Sequence, residues 1–373
     1  MFRPNLAASA DSVCELLVRK PEIENDAMRC SAQLSRPGMA PIDIWFKLPK
    51  EHRDAVTTRA DPFIIASIFA AADTGSTLKV GGAPASPSLL RNLGEFQQVR
   101  RAWYGADIAP IECETSPEEP RGDAPAIAAF SGGVDSAFTI YRHTRDRERP
   151  DRQRVTAALF VQGFDIPLDD QVGFHGAFER AARMLDGLGV TLIPMQTNVR
   201  SMCPDWEHMH AAAVAAALTV LSGHFATGLV ASAGTYHLPL IPWGSNPLTD
   251  PMLGSRRFAI VHDGAASSRL EKVRMLSEWP AAKELRFCFS QTPADGNCGR
   301  CLKCILTALE FKCAGVEPEC FATPISDAQI VETLSRYVTD PHGDICFHEV
   351  LDAAVEGGLT GAWLPVLQRV LPR

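Results

Sequence analysis

From Ala124 onward the sequence alternates short apolar runs with longer amphipathic stretches, and no other feature limits the fold as tightly. Ala126 to Phe130 reads as a first strand, Arg154 to Val161 as a second, Val190 to Gln196 as a third, Ala226 to Ser232 as a fourth and Phe258 to His262 as a fifth. Helical patterns fill the gaps. Asp170 to Leu188 carries Phe174, Phe178, Ala181, Ala182 and Leu185 on one stripe, Glu207 to Leu221 is rich in alanine, and Ser267 to Leu276 follows strand five. Strands joined through helices pair in parallel by right-handed crossovers, with helices on both faces. The expected fold class is α/β, a doubly wound parallel sheet. Ligands of such sheets bind at the carboxyl ends of the strands, beside the point where strand order reverses.

The turn after strand one lies at that edge. It reads Ser131-Gly-Gly-Val-Asp-Ser136, and a helix starts from about Val134. Adjacent glycines let backbone N–H groups close around an anion without obstruction by Cβ atoms. Ser131 and Ser136 add hydroxyl donors, and the helix start adds its own N–H groups and positive dipole end. Asp135 is itself an anion, so it fits a phosphate cradle only with a divalent cation between the two. The pattern predicts a nucleotide polyphosphate with Mg2+. It is neither a Walker A loop, which needs a lysine after its last glycine, nor a G-x-G-x-x-G fingerprint.

The rest of the 373 residues constrains function mainly by exclusion. The apolar fraction of 46% suffices for a sizeable core. A net charge of −8 gives no sign of a nucleic-acid backbone partner. The longest apolar helical stretch, about Ala211 to Leu221, is shorter than the ~20 residues that cross a bilayer, so no membrane partner is expected. No apolar run near Met1 resembles a signal peptide. Eleven cysteines without an export signal point to a reducing cytoplasm and to metal or thiol chemistry.

Three units are expected. Residues 1–120 read as a small α+β domain: strands at Arg29 to Leu34, Asp43 to Leu48 and Thr77 to Val80, with helices at Pro62 to Ala72 and Ser86 to Tyr104. This unit carries no chemical motif and fits a domain that packs on its neighbour or supports a homodimer. Cys113 to Asp123, rich in Glu, Pro and Gly, reads as a linker. Residues 124–320 form the nucleotide-binding unit, and residues 321–373 a tail of two or three helices.

Asn297-Cys-Gly-Arg-Cys-Leu-Lys-Cys304 is a Cys-x2-Cys-x2-Cys run, and Cys288 precedes it at the end of a strand-like stretch, Glu284 to Phe289. Four thiolates so spaced can close a tetrahedral zinc site, with Gly299 permitting the tight turn. Such a site has no open position and would staple a loop; an iron–sulfur cluster is the competing metal. Arg300 and Lys303 would offset the thiolate charge, and Cys304 would open a helix to Lys312. Cys14, Cys30, Cys113, Cys203, Cys313, Cys320 and Cys346 lack ligand spacing and default to buried hydrophobes. Of these Cys203, after strand three, is the candidate reactive thiol.

The hexapeptide Ser131 to Ser136 resembles the PP-loop of the ATP pyrophosphatases, which split ATP between its α and β phosphates. With the downstream Cys288, Cys298, Cys301 and Cys304, the chain resembles the 7-cyano-7-deazaguanine synthase family of queuosine biosynthesis. The resemblance covers about residues 124–313 and implies an adenine nucleotide α-hydrolase-like fold carrying a four-cysteine zinc loop. It implies a ligase that adenylates a substrate carboxylate or amide, releasing AMP and pyrophosphate, for attack by ammonia or another nitrogen nucleophile. ATP and Mg2+ would lie on Ser131, Gly132, Gly133, Val134, Asp135 and Ser136, with Asp135 and Lys272 catalytic and Zn2+ on the four cysteines. Ammonia would come free or from a donating partner, since Phe2 follows Met1 where a glutamine-hydrolysing domain has its cysteine.

Two stretches depart from the family: Gln162 to Pro167, and Ala233 to Pro251 where an Asn/Asp-rich loop reads the base. A different small-molecule substrate is therefore expected, with Asp165 and Asp250, and less directly His237 and Asn246, as contacts. Arg269 joins Lys272 as a candidate cation for the departing pyrophosphate. A thiolation enzyme of the same fold and a non-catalytic nucleotide-sensing subunit are the alternatives.

Overall fold

The computed structural model describes residues 12–371 except 121, 147–149, 204, 238–241, 289–295 and 338–340. The strands are β1 (Val13–Val18), β2 (Glu22–Glu24), β3 (Ala27–Ser35), β4 (Ile42–Pro49), β5 (Thr77–Ala85), β6 (Ile111–Thr115), β7 (Ala126–Ala129), β8 (Val155–Gln162), β9 (Thr191–Thr197), β10 (Thr227–Ala231) and β11 (Ala259–Asp263). The helices are α1 (Asp61–Ala72), α2 (Pro87–Tyr104), α3 (Val134–Thr144), α4 (Gln171–Leu185), α5 (Trp206–Val220), α6 (Arg269–Ser277), α7 (Leu302–Cys313), α8 (Asp327–Leu334), α9 (Pro341–Glu356) and α10 (Trp363–Val370).

All eleven strands join one mostly parallel sheet, in the order β11-β10-β7-β8-β9-β4-β3-β1-β5-β6, with β2 beside β3. The half built from β7 to β11 is the doubly wound pattern expected from the alternation. β7 lies centrally, β8 and β9 extend to one side, β10 and β11 to the other, all in parallel. The switch point falls between β7 and β10. Side-chain alternation sends Ile127, Leu159 and Val230 into one core with α1 and α5, and Ala128, Phe160 and Leu229 into another with α3, α4, α6 and α7. The alanines of α5 have a packing reason: the helix is buried nearly all round, between β7, β10 and α1.

The N-terminal residues continue the same sheet. β4 pairs antiparallel with β9, Phe46 opposite Thr197 and Lys47 opposite Gln196. Thr197 Oγ1 donates to the Trp45 carbonyl at 2.8 Å, and Asn198 accepts from Trp45 N at 3.0 Å while donating to the Asp43 carbonyl at 2.7 Å. One hydrophobic cluster runs from Leu16 and Phe46 through α1 to Ala216 and Ile260.

Two local expectations need correction, and β1 lies where the sequence suggests no strand. Ile111–Thr115 pairs in parallel with β5, so Cys113 to Thr115 belong to β6 and not to a linker. β1 escapes a period-2 reading because Leu17, apolar by type, points to solvent at 53% exposure. The strand-like stretch at Glu284 is no strand: a 3-10 turn ends at Glu284 and residues 285–288 are irregular, Phe289 lying outside the described residues. Buried Asn297 replaces a ladder there, accepting from Phe287 N at 3.0 Å and donating to the Leu285 carbonyl at 2.8 Å. The tail is three helices, α8 to α10, closing over α7. No described helix is long and apolar enough to cross a membrane.

Candidate functional site

The glycine turn follows β7 at the carboxyl edge of the sheet. Gly132 adopts φ +75°, in the left-handed region that favours glycine, and Gly133 is the N-cap of α3. Serines tie the turn together. Ser131 Oγ and Ser136 Oγ lie 3.3 Å apart, Gly133 N donates to Ser131 Oγ at 3.3 Å, and Ser136 Oγ donates to the Gly133 carbonyl at 3.1 Å. The first N–H groups of α3 have no acceptor within the helix and point toward the turn.

Asp135 and Lys272 meet there. Lys272 arrives on α6, which a Ser268–Glu271 capping box starts, and its side chain is 1% exposed against 24% for Asp135. Its Nζ lies 2.9 Å from Asp135 Oδ1 and donates also to the Ser232 carbonyl at the end of β10. Burial pushes the Asp135 carboxyl up, but the charges of Lys272, Arg269 and Lys303 outweigh it, so the group lies below the usual carboxylate range. Asp135 is therefore an anion at neutral pH, as a divalent-cation ligand must be.

Two adjoining cavities flank the turn. One, of about 520 Å3, opens toward β8 and β9 and is bordered by Gly163, Asn198, Arg200, Arg180 and Cys288. The other, of about 310 Å3, lies toward the β7/β10 switch point against Phe160, Trp206, His210 and Trp243. Ser131, Phe164, Asp165, Ile166, Arg286 and Lys303 border both. Burial lowers the Arg286 guanidinium and the Lys303 ammonium from their usual values, although Asp165 opposes the shift in each. His210 is lowered too, mainly by burial. Its Nδ1, 3.0 Å from the Glu207 carbonyl, must donate there, which makes Nε2 the acceptor of the neutral ring.

Several candidates fall into different places. Asp165 borders both cavities, 65% exposed, 3.8 Å from Arg200. Asp250 is fully buried behind them, accepting from Ser245 Oγ at 2.7 Å and Asn246 N at 3.1 Å and paired with His262 Nδ1 at 2.7 Å. Asn246 shapes the same turn by accepting from Leu248 N and Thr249 N, and His237 is exposed and borders neither cavity. Arg269 is engaged with Glu310 and with Thr307 Oγ1 at 2.8 Å and likewise borders neither. Burial pushes the Cys203 thiol up to about 12, Arg200 opposing, which keeps it protonated and matches an inert cysteine.

Cys288, Cys298, Cys301 and Cys304 converge, all four Sγ atoms within 4.8 Å of one another. Sγ–Sγ distances are 3.8 Å for Cys288–Cys301 and for Cys298–Cys304. Gly299 turns the chain at φ +68°, and the N–H of Cys301 donates to Cys298 Sγ at 3.3 Å. Cys301 caps α7 and Cys304 sits in its first turn, so the helix N-terminus faces the thiolates. The cluster could hold a metal ion.

The sequence alone gives Arg286 no role and Lys303 only charge balance at the cysteines; Trp206, His210 and Trp243 stand in no motif. The only local signal is proximity to Cys288 and Cys304, because what borders a cavity is set by segments distant in sequence. Comparison with models of known protein families, with curated proteins and with solved structures found no match.

Proposed function

We propose that this chain is an ATP-dependent, AMP-forming ligase of the PP-loop type that activates a carboxylate or amide of a small molecule for attack by ammonia or another nitrogen nucleophile. The observation that carries the reading is the Asp135–Lys272 pair inside the glycine turn, at the switch point of a doubly wound sheet. An acidic ligand, a buried cation and helix N–H groups meet beside two cavities, an arrangement suited to a triphosphate with a divalent cation. Mg2+ would supply charge neutralisation between Asp135 and the phosphates.

In this reading ATP lies across the strand ends with its phosphates on Ser131 to Ser136. The acceptor oxygen attacks the α-phosphorus, the bond from the α-phosphorus to the bridging oxygen breaks, and pyrophosphate leaves with that electron pair. Lys272 and the N–H groups of the turn hold the charge that develops on the departing group. The nitrogen nucleophile then forms its bond to the acyl carbon and AMP departs. The 3.8 Å separations between thiolates match the edge of a tetrahedron with Zn–S bonds of about 2.3 Å. In a polynuclear iron–sulfur cluster thiolates on different irons stand farther apart than this, whereas all four Sγ atoms here lie within 4.8 Å of one another, so zinc is the proposed metal. The thiolation alternative lacks an activated cysteine, given the state of Cys203.

The test is product analysis with α-labelled ATP, Mg2+, ammonium and a metabolite extract, beside Ser131→Ala and Asp135→Ala. AMP and pyrophosphate from the wild type alone, increased by the extract, support the reading. ADP and phosphate, or tight ATP binding without turnover, sink it in favour of a sensing subunit.

A further inference from the structure

The cysteine loop is tied to the glycine turn at Arg286. Arg286 N donates to the Gly132 carbonyl at 2.8 Å, two residues before Cys288, and the Arg286 Cβ lies 4.0 Å from where a Cβ on Gly132 would stand. The loop is braced from both sides. Asn297, next to Cys298, bonds Leu285, Phe287 and the Cys320 carbonyl, and Arg180 of α4 donates to the carbonyls of Glu284 at 3.3 Å and Leu285 at 3.2 Å. Lys303 stands between Cys301 and Cys304. Both cations thus ride on backbone that the thiolate cluster holds, and both border the two cavities where these meet, beside Ser131. The junction adjoins the glycine turn through Ser131, so the two cations and the turn present donors to one volume.

We propose that the metal loop is half of the anion site: Arg286 and Lys303 clamp a pyrophosphate group against the glycine turn. The proposal rests on the adenylation reading and extends it, because it makes the cysteine cluster a positioning element for two binding cations. Asp165 faces the same junction and balances their charge when the anion has left. A rigid mount matters because a flexible arginine would lose side-chain freedom on every binding event.

The test uses inorganic pyrophosphate with excess Mg2+, titrated calorimetrically into wild type, Arg286→Gln, Arg286→Lys, Lys303→Gln and the control Lys283→Gln, an exposed lysine bordering neither cavity. Metal content and melting temperature are measured for each. We expect about tenfold or weaker binding in Arg286→Gln and Lys303→Gln, with metal retained, from loss of a charged hydrogen bond. Arg286→Lys should keep most of the affinity and Lys283→Gln all of it. Unchanged affinity in both glutamine variants overturns the clamp and leaves adenylation standing, provided the wild type still releases AMP. Equal loss in Arg286→Lys and Arg286→Gln, accompanied by loss of metal, overturns it in favour of a folding role. A wild type that binds neither pyrophosphate nor ATP overturns both readings.

Discussion

Lys272 Nζ bridges Asp135 Oδ1, at 2.9 Å, and the carbonyl of Ser232, joining the glycine turn to the end of β10. The pair spans the sheet's switch point, with the lysine side chain 1% exposed. Lys272→Met leaves a largely buried carboxylate without its cation. A fully buried broken pair costs 3–5 kcal/mol, and the 24% exposure of Asp135 reduces this, so we expect a loss of roughly 2 kcal/mol in urea unfolding. AMP formation should fall by about a hundredfold or more. Wild-type rates in Lys272→Met would remove the lysine from the reaction.

The four cysteines should hold one zinc ion per chain. Elemental analysis of the purified protein should find it, and Cys301→Ser should release most of it. Four ligands that hold the loop and the start of α7 contribute to folding directly, so the melting temperature should drop by about 5 °C or more. Iron with labile sulfide in place of zinc would refute this assignment.

Two glycines should respond in opposite ways. At Gly163, φ +100°, an added Cβ would stand 1.9 Å from the Thr197 carbonyl oxygen, so Gly163→Ala must displace the β8–β9 edge and cost about 3 kcal/mol or more. At Gly132 the nearest atom is 4.0 Å away, so Gly132→Ala costs only the strain of its φ, about 1 kcal/mol. In the proposed phosphate cradle the added methyl group would crowd the anion, and ATP affinity should fall far more than stability does. Calorimetric ATP titration and urea midpoints on both variants separate the effects.

Asp165 and Asp250 should likewise divide. Asp250→Asn disturbs buried bonds to Ser245 and His262 and should lower stability by about 2 kcal/mol while leaving the KM for the acceptor nearly unchanged. Asp165→Asn, exposed at the cavity junction, should leave the melting temperature within about a degree and change KM. The reverse pattern would restore Asp250 as a substrate contact.

Asp263 gives an acid-stability signature. Burial raises its carboxyl, but hydrogen bonds and charges from His143, Arg142 and Thr139 prevail and hold it below the usual range. The ionised form therefore stabilises the fold at pH values above the unfolded carboxyl's value of about 4, and that stabilisation fades as pH falls through the lower folded value. Asp263→Asn should cost roughly 2–4 kcal/mol at pH 7 and show a shallower loss of urea stability from about pH 5 to about pH 2.5. An unchanged acid slope would show that Asp263 has the same affinity for its proton folded and unfolded.

The elements and the motifs were legible because each is written in neighbouring residues. The helical stripe of Phe174, Phe178 and Leu185, the Gly132–Gly133 turn, the spacing of Cys298, Cys301 and Cys304, and the helix carrying Lys272 depend on local period or on backbone freedom at one position. Tertiary structure decided the rest. Pairing of β4 with β9 turns on the register of segments about 150 residues apart, and the exposed Leu17 in β1 hides its own alternation. Whether Asp165 or Asp250 faces a cavity depends on which segments cover each, and Arg286 gains its place through Gly132, Asn297 and Arg180. Local chain chemistry sets conformation and possible ligands. Burial and neighbourhood, summed over distant segments, set which charges meet.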